Sequence, residues 1–264
     1  MTHSPAYRRI LHKMKYYDYQ QGLIQHHLNQ EGGWDSHLKH CRDFILRALD
    51  LYKPSRITVL GSGWLLDLPL SEMIEIADNV CLVDIIHPPE VISQVSGLKK
   101  IELIEQDITG GLIKEVWEKT RKHTFLNRLK TLDTIFIPRY KPDGDPGMVL
   151  SLNILTQIES LPVKFISKHA KIDDDTFKCF SAAIQKKHID FLKEHPSVLI
   201  TDISEIITNQ AGEVTEKQTL LTDLPEPELK EEWTWDFELV SSDYYRTKSA
   251  FRVMAISFCQ FNKD

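Results

Sequence analysis

The sequence lacks several things, and each absence removes a class of function. Its four cysteines, Cys41, Cys81, Cys179 and Cys259, are scattered over 264 residues. None forms a C-x-x-C pair or a zinc-finger spacing, so they read as small hydrophobes of a reducing compartment. The histidines offer no metal set either: His37 and His40 are three apart, but no third ligand accompanies them. No apolar run approaches the ~20 residues of a spanning helix. Residues 1–30 are polar, rich in Tyr, His, Gln and Lys, and carry no basic-plus-apolar signal. No membrane partner is expected, and the expected compartment is the cytoplasm. Excess positive charge is also missing, because 32 Lys and Arg face 38 Asp and Glu for a formal net charge of -6. The basic residues are dispersed and do not interleave with aromatics, so no nucleic-acid partner is expected.

What is there is an ordinary globular composition, 42% hydrophobic and 27% charged. The length suits one domain with an appended helical region. Residues 1–53 have helical periodicity and no strand signal. Leu38, Cys41, Phe44, Ile45, Leu46 and Leu49 form one apolar stripe. A break at Glu31-Gly32-Gly33 precedes it, with Asp35 or Ser36 as N-cap. Residues 54–264 alternate short apolar runs with helical patterns. Strands are expected at Ile57–Leu60, Val80–Val83, Ile101–Ile104, Thr134–Ile137 and Val198–Ile200. Helices are expected at Leu65–Ala77, Gly110–Arg121, Met148–Ser160 and Thr176–Glu194. That alternation predicts an α/β fold with an open, doubly wound, mostly parallel sheet. Trp233–Val240 and Ala250–Phe261, separated by the polar Ser241–Ser249, predict an antiparallel strand pair at one edge; Thr222–Glu232 reads as a surface loop.

The informative motif is Leu60-Gly61-Ser62-Gly63-Trp64, at the end of the first strand. A nucleotide-binding unit needs a tight turn and close backbone approach there, and glycine allows both. The helix that follows offers free N–H groups. Asp84 follows the second strand, where a carboxylate can accept both hydroxyls of a ribose. Asp107 follows the third, where it can accept an exocyclic amino group of adenine. Three such elements lie in order at the carboxyl ends of three successive strands.

With these residues the chain resembles the class I, Rossmann-like S-adenosylmethionine-dependent methyltransferases over about Arg56 to Phe261. The resemblance implies a methyltransferase with S-adenosylmethionine as cofactor and a small-molecule substrate. It places the methionine part on Gly61, Ser62 and Gly63, the ribose on Asp84, and the adenine on Asp107 with Ile108 alongside. It also implies a last strand inserted beside the parallel ones. Three positions depart from the family pattern: Val59 replaces an acid, Leu65 replaces a small residue, and Ile137-Pro138-Arg139-Tyr140 replaces an Asp/Asn-Pro-Pro-aromatic sequence. A nucleoside-binding protein without turnover is the alternative. An NAD(P)-dependent oxidoreductase is a weaker one, since Leu66 stands where G-x-G-x-x-G needs its third glycine.

Ligands of open α/β sheets sit beyond the carboxyl ends of the strands. The loop Pro138–Gly147, taken as following the fourth strand, is therefore the expected substrate loop, with Pro138, Arg139 and Tyr140 as its contacts. Asn153 and Gln157, four apart on the expected helix, would share a face toward it. The segment Gly32–His37 is placed to fold over the cleft as a lid, with Trp34 as a ring wall and His37 as base or donor. Tyr140 and His37 are the candidate catalytic bases. Methyl transfer needs alignment and exclusion of water more than a strong base.

Overall fold

The structure is a computed structural model and describes residues 3–30, 32–124, 126–238 and 248–259. Three helices come first: α1 (Pro5–Lys13), α2 (Tyr16–Asn29) and α3 (Asp35–Tyr52). Ser4 caps α1 by accepting from the Tyr7 amide, and Pro5 enters where its missing N–H costs nothing. The expected break falls between α2 and α3, with Gly32 at φ +74°. Trp34, not Asp35 or Ser36, is the N-cap of α3 and makes no side-chain cap bond. Asp35 instead opens the helix, where its charge suits the helix dipole. The stripe is found: Leu38, Cys41, Phe44, Ile45 and Leu49 are buried.

Five parallel strands follow: β1 (Arg56–Leu60), β2 (Asn79–Asp84), β3 (Ile101–Glu105), β4 (Met148–Leu152) and β5 (Ser197–Thr208). Between them run α4 (Leu70–Ile76), α5 (Pro89–Val95), α6 (Leu112–Thr120), α7 (Ser160–His169) and α8 (Asp174–Leu192). The chain then forms β6 (Val214–Gln218), β7 (Leu229–Glu238) and β8 (Lys248–Phe258). The sheet order is β3-β2-β1-β4-β5-β8-β7, with β6 pairing β5 off that path. Strand β8 is antiparallel to both neighbours, so the last strand is inserted beside the parallel ones, as expected. Positions 239–247 and 260–264, which include most of the expected polar connection and the expected ends of both edge strands, lie outside the described residues.

The sheet is doubly wound and Rossmann-like because its strands bury both faces. Along β1, Ile57 and Val59 join the layer of α3, α4 and α5, while Leu60 joins the opposite layer with Ile189, Phe191 and Leu192 of α8 and its end. The same two-residue alternation divides Val253 and Ala255 from Ile256 and Phe258 in β8, with a register shift near Asp202.

Two expectations are corrected here. Thr134–Ile137 is irregular chain rather than a strand, and Ile135 buries itself against α6 and α7 side chains. The fourth strand is Met148–Leu152, placed by its apolar run in a helix. A short apolar run has no period to tell a buried strand from a helix. Gly147, at φ +65°, brings the chain so close to β1 that a Cβ would collide with the Arg56 carbonyl. The second correction is that Leu65–Ala77 is helical only from Leu70, because Pro69 forms its N-cap after an irregular turn. Helices α6 and α8 fall where expected, and Asp173 caps α8 by accepting from the Thr176 amide. Helices α5 and α7 and strand β6 were not foreseen. Among the described residues, no helix is long and apolar enough to cross a membrane.

Candidate functional site

The site begins where β1 ends. Gly61 and Gly63 adopt φ of +77° and +50°, backbone that favours glycine. The Gly61 amide donates to the Val83 carbonyl at 3.0 Å, which ties the turn to β2. A Cβ on Gly61 would stand 3.0 Å from Ile154 Cβ, so the turn packs closely on the chain leaving β4. Leu65, at φ +61°, carries a side chain in the same left-handed region. Its apolar body is buried in the α3 and α4 layer, which offsets the strain.

Asp84 stands at the end of β2 and is engaged by the turn itself. Its Oδ2 accepts from the Gly63 amide at 2.7 Å, and its Oδ1 accepts from the Ile85 amide at 2.7 Å. Gln20 of α2 adds a longer bond to Oδ1 at 3.3 Å. Burial pushes the carboxyl above its ordinary pKa, and these amides pull against it. Asp107, two residues beyond β3, accepts at Oδ1 from the Thr109 amide (2.9 Å) and hydroxyl (2.5 Å). Its Oδ2 accepts from the Tyr7 hydroxyl of α1 at 2.7 Å. Burial raises this carboxyl as well.

Two cavities flank Gly61 and share the wall of Tyr19, Gln20, Gly61, Ile154 and Gln157. One, of about 80 Å³, is lined by Asp84, Asp107, Ile108 and Tyr16. The other, of about 120 Å³, is lined by Ser62, Gly63, Trp34, His37, Trp64, Asp67, Asn153 and Trp235. Three buried polar atoms around them have no hydrogen-bond partner: Gln20 Oε1, Ser62 Oγ and Trp235 Nε1. Helix α2 lies across the mouth, where Tyr19 donates to Gln157 Oε1 at 2.6 Å and Trp64 Nε1 donates to the Gln20 carbonyl at 3.1 Å.

The larger cavity has a rigid aromatic side. The His37 ring stacks on Trp235 with centroids 3.9 Å apart and 6° between planes. Trp233 Nε1 donates to His37 Nδ1 at 3.0 Å. Burial holds the imidazole neutral, with a pKa lowered to about 3. A neutral imidazole whose Nδ1 accepts must carry its proton on Nε2. Its Nε2 lies 3.4 Å from Asn153 Nδ2 and 3.5 Å from Cys41 Sγ, so both ring nitrogens face neighbouring side chains. Asn153, at φ +51°, donates from Nδ2 to Asp67 Oδ2 at 3.0 Å. Asp67 is raised by burial, partly countered by its own backbone, by Asn153 and by Arg42.

The structure thus brings together Gly61, Ser62, Gly63, Asp84, Asp107, Ile108, Trp34, His37 and Asn153. Pro138, Arg139 and Tyr140 line neither of the two cavities. Because β4 begins at Met148, the loop from Pro138 to Gly147 precedes that strand and runs back to the amino end of β1, where Thr58 donates to the Pro146 carbonyl. Arg139 pairs with Glu194 just beyond α8. Tyr140 is buried against Phe191, donates to Gln106 at 2.8 Å, and is held protonated by burial. Pro138 and Tyr140 border an adjoining crevice of about 10 Å³ that shares Ile108, Thr109 and Ile158 with the smaller cavity. Asn153 and Gln157 line the cavity from an irregular turn after β4, not from a helix. Tyr7, Tyr16, Tyr19, Gln20, Trp64, Asp67 and Trp235 were missed. The spacing of Tyr16, Tyr19, Gln20 and Leu23 on one helical face was a readable signal for four residues of that neighbourhood.

No family model matches the chain, and no curated protein matches it. Among solved structures it is similar to 1,6-didemethyltoxoflavin-N1-methyltransferase of Burkholderia thailandensis, with bound 1,6-didemethyltoxoflavin and S-adenosylhomocysteine. The identity is 10%, the coverage 98% of this chain and 92% of that one, and the TM-score 0.44. It is also similar to DhpI bound to SAH, at 11% identity, 93% and 96% coverage and a TM-score of 0.38. A third is the N-methyltransferase NodS from Bradyrhizobium japonicum WM9 with S-adenosyl-L-homocysteine, at 9% identity, 83% and 85% coverage and a TM-score of 0.36. Likeness at this level is weak.

Proposed function

We propose that the chain is an S-adenosylmethionine-dependent methyltransferase acting on a small molecule. The observation that carries this is one crevice walled by the β1 glycine turn and by two buried carboxylates from the next two strand ends. Asp84 would hold the ribose hydroxyls, and Asp107 with Ile108 the adenine. The Gly61–Gly63 turn, with the partnerless Ser62 hydroxyl, would hold the methionine part. When bound, the cofactor supplies a methyl group on a sulfonium, already activated for displacement. The protein's share is to orient the acceptor and keep water out.

We assign the cover of this crevice to α1 and α2 rather than to Gly32–His37. Tyr7 and Gln20 bond the two carboxylates that the cofactor would need. The cavities, at about 120 and 80 Å³, are small beside the roughly 300–1,000 Å³ of ordinary small-molecule pockets. Cofactor entry then requires the helical pair of residues 5–29 to swing on the glycine break at Gly32-Gly33. Calorimetry with S-adenosylmethionine, S-adenosylhomocysteine and NAD(H) tests the cofactor. Saturable heat with both adenosyl ligands and none with NAD(H) is expected. The opposite pattern sinks the reading.

A further inference from the structure

We infer that Gln20 is a ligand-binding residue as well as part of the cover: Asp84 and the Gln20 carboxamide together hold a ribose, one hydroxyl on each. Both residues line the smaller cavity. That the ribose is the cofactor's rests on the proposed function; the pairing of the two acceptors does not.

The lone pairs of Asp84 set the need for a second acceptor. A carboxylate offers roughly four acceptor sites, two on each oxygen. The Ile85 amide and Gln20 Nε2 donate to Oδ1, and the Gly63 amide donates to Oδ2. At most one site, on Oδ2, is left. A ribose brings two neighbouring O–H donors, so its second hydroxyl must find another oxygen. Gln20 supplies one. Because its Nε2 donates to the carboxylate, its Oε1 is fixed as the other arm of the carboxamide. That oxygen is buried without a partner. Among the described residues lining this cavity, no other buried side-chain N or O atom lacks one. A buried acceptor left unpaired is costly, and a ligand hydroxyl relieves it.

The carboxamide is also held in place. Trp64 Nε1 donates to the Gln20 carbonyl at 3.1 Å, and the adjacent Tyr19 hydroxyl donates to Gln157 at 2.6 Å. Helix α2 is thereby fastened to the turn after β1 and to the turn after β4. The other side-chain carbonyl and carboxylate oxygens of the cavity are engaged: Asp107 by Thr109 and Tyr7, and Gln157 by Tyr19. The two cover contacts therefore differ. Tyr7 places its hydroxyl on Asp107, whereas Gln20 places a donor on Asp84 and leaves an acceptor beside it. Closure of α2 over a bound nucleoside completes the ribose site.

The probes are adenosine, 2′-deoxyadenosine, 3′-deoxyadenosine and S-adenosylhomocysteine, titrated by calorimetry into the full chain and into Gln20→Met. Methionine keeps the length of the side chain, shields the same oxygen of Asp84, and removes both polar groups of the amide. In the parent, each deoxynucleoside should bind about tenfold more weakly than adenosine. In Gln20→Met, adenosine and S-adenosylhomocysteine should weaken about tenfold, while one of the two deoxynucleosides binds as it does to the parent. A cover that only competes for Asp84 requires the opposite sign. Adenosine binding to the variant as tightly as to the parent, or more tightly, overturns the inference. So does an equal loss for all three nucleosides, which marks a packing role. If Gln20→Met fails to melt cooperatively, Gln20→Leu takes its place with the same expectation. Hydroxyl discrimination through Gln20 without S-adenosylhomocysteine binding leaves the ribose site standing and overturns the cofactor reading. S-adenosylhomocysteine binding that the variant does not change does the reverse. No saturable heat with any probe overturns both.

Discussion

The two cavities beside Gly61 share a wall and are made of different materials. The smaller is built on strand ends: Asp84 and Asp107 each follow a parallel strand, and backbone amides already orient both carboxylates. The larger is built on rings contributed from far apart in the chain, with Trp34 and His37 from the start of α3, Trp64 from the turn after β1, and Trp235 from β7. Backbone amides hold a position against substitution of neighbouring side chains, whereas a ring wall is only as rigid as its packing. The first wall is therefore held by main chain, and the second by the packing of side chains.

The sharpest test of that division is Asp84→Ala. It would remove the proposed ribose acceptor and free the Gly63 amide, so affinity for S-adenosylhomocysteine should fall about 100-fold, as two charge-assisted hydrogen bonds would give. An unchanged affinity would show that the carboxylate lies outside the cofactor's reach. Next in size is Gly61→Ala in the shared wall. Its φ of +77° and the approach to Ile154 Cβ should cost about 1–3 kcal/mol in denaturant unfolding. Affinity for S-adenosylhomocysteine should weaken with it, and an unchanged affinity would place Gly61 outside the cofactor's wall.

A pH series examines the ring side. The folded pKa of His37 lies at about 3, below its unfolded value of 6.5, so acid protonates the unfolded chain first. Its contribution to stability is complete above pH 6.5 and declines as pH falls toward 3. His188, lowered by burial to about 4, titrates in the same window. His37→Gln should flatten the slope of unfolding free energy with pH between 6 and 4 without abolishing it. An unchanged slope would mean the ring is not held neutral. The smallest expected effect is that of Tyr7→Phe, which releases Asp107 from α1. Affinity for S-adenosylhomocysteine should rise about threefold in the calorimeter. A weaker complex would make Tyr7 a ligand contact rather than part of the cover.

Legibility differed between these regions for a physical reason. The first three strands could be read because each apolar run is bounded by punctuation: Pro54 before β1, and carboxylates after β2 and β3. Met148–Leu152 was missed because it runs on without a visible boundary into Asn153-Ile154-Leu155, and a two-sided strand has no alternation to show. That one error put the loop Pro138–Gly147 after the fourth strand instead of before it. Pro138, Arg139 and Tyr140 were assigned to the carboxyl edge on the strength of a strand at Thr134–Ile137 that does not form. Trp34 and His37 were located next to the cavity, but the bond that engages His37 Nδ1 comes from Trp233, 196 positions away.

The sequence by itself determined the sheet class, the glycine turn and the two carboxylates. Those follow from local demands: a strand end, a positive φ and a short carboxylate placed after an apolar run. Tertiary structure alone decided that α1 and α2 cover the crevice, that Asp67 faces Asn153, and that Trp235 stacks on His37 across the sheet edge. Contacts between residues far apart in the chain depend on how strands order and pack. That order, with β8 slipped between β5 and β7, is a property of the whole sheet and of no single segment.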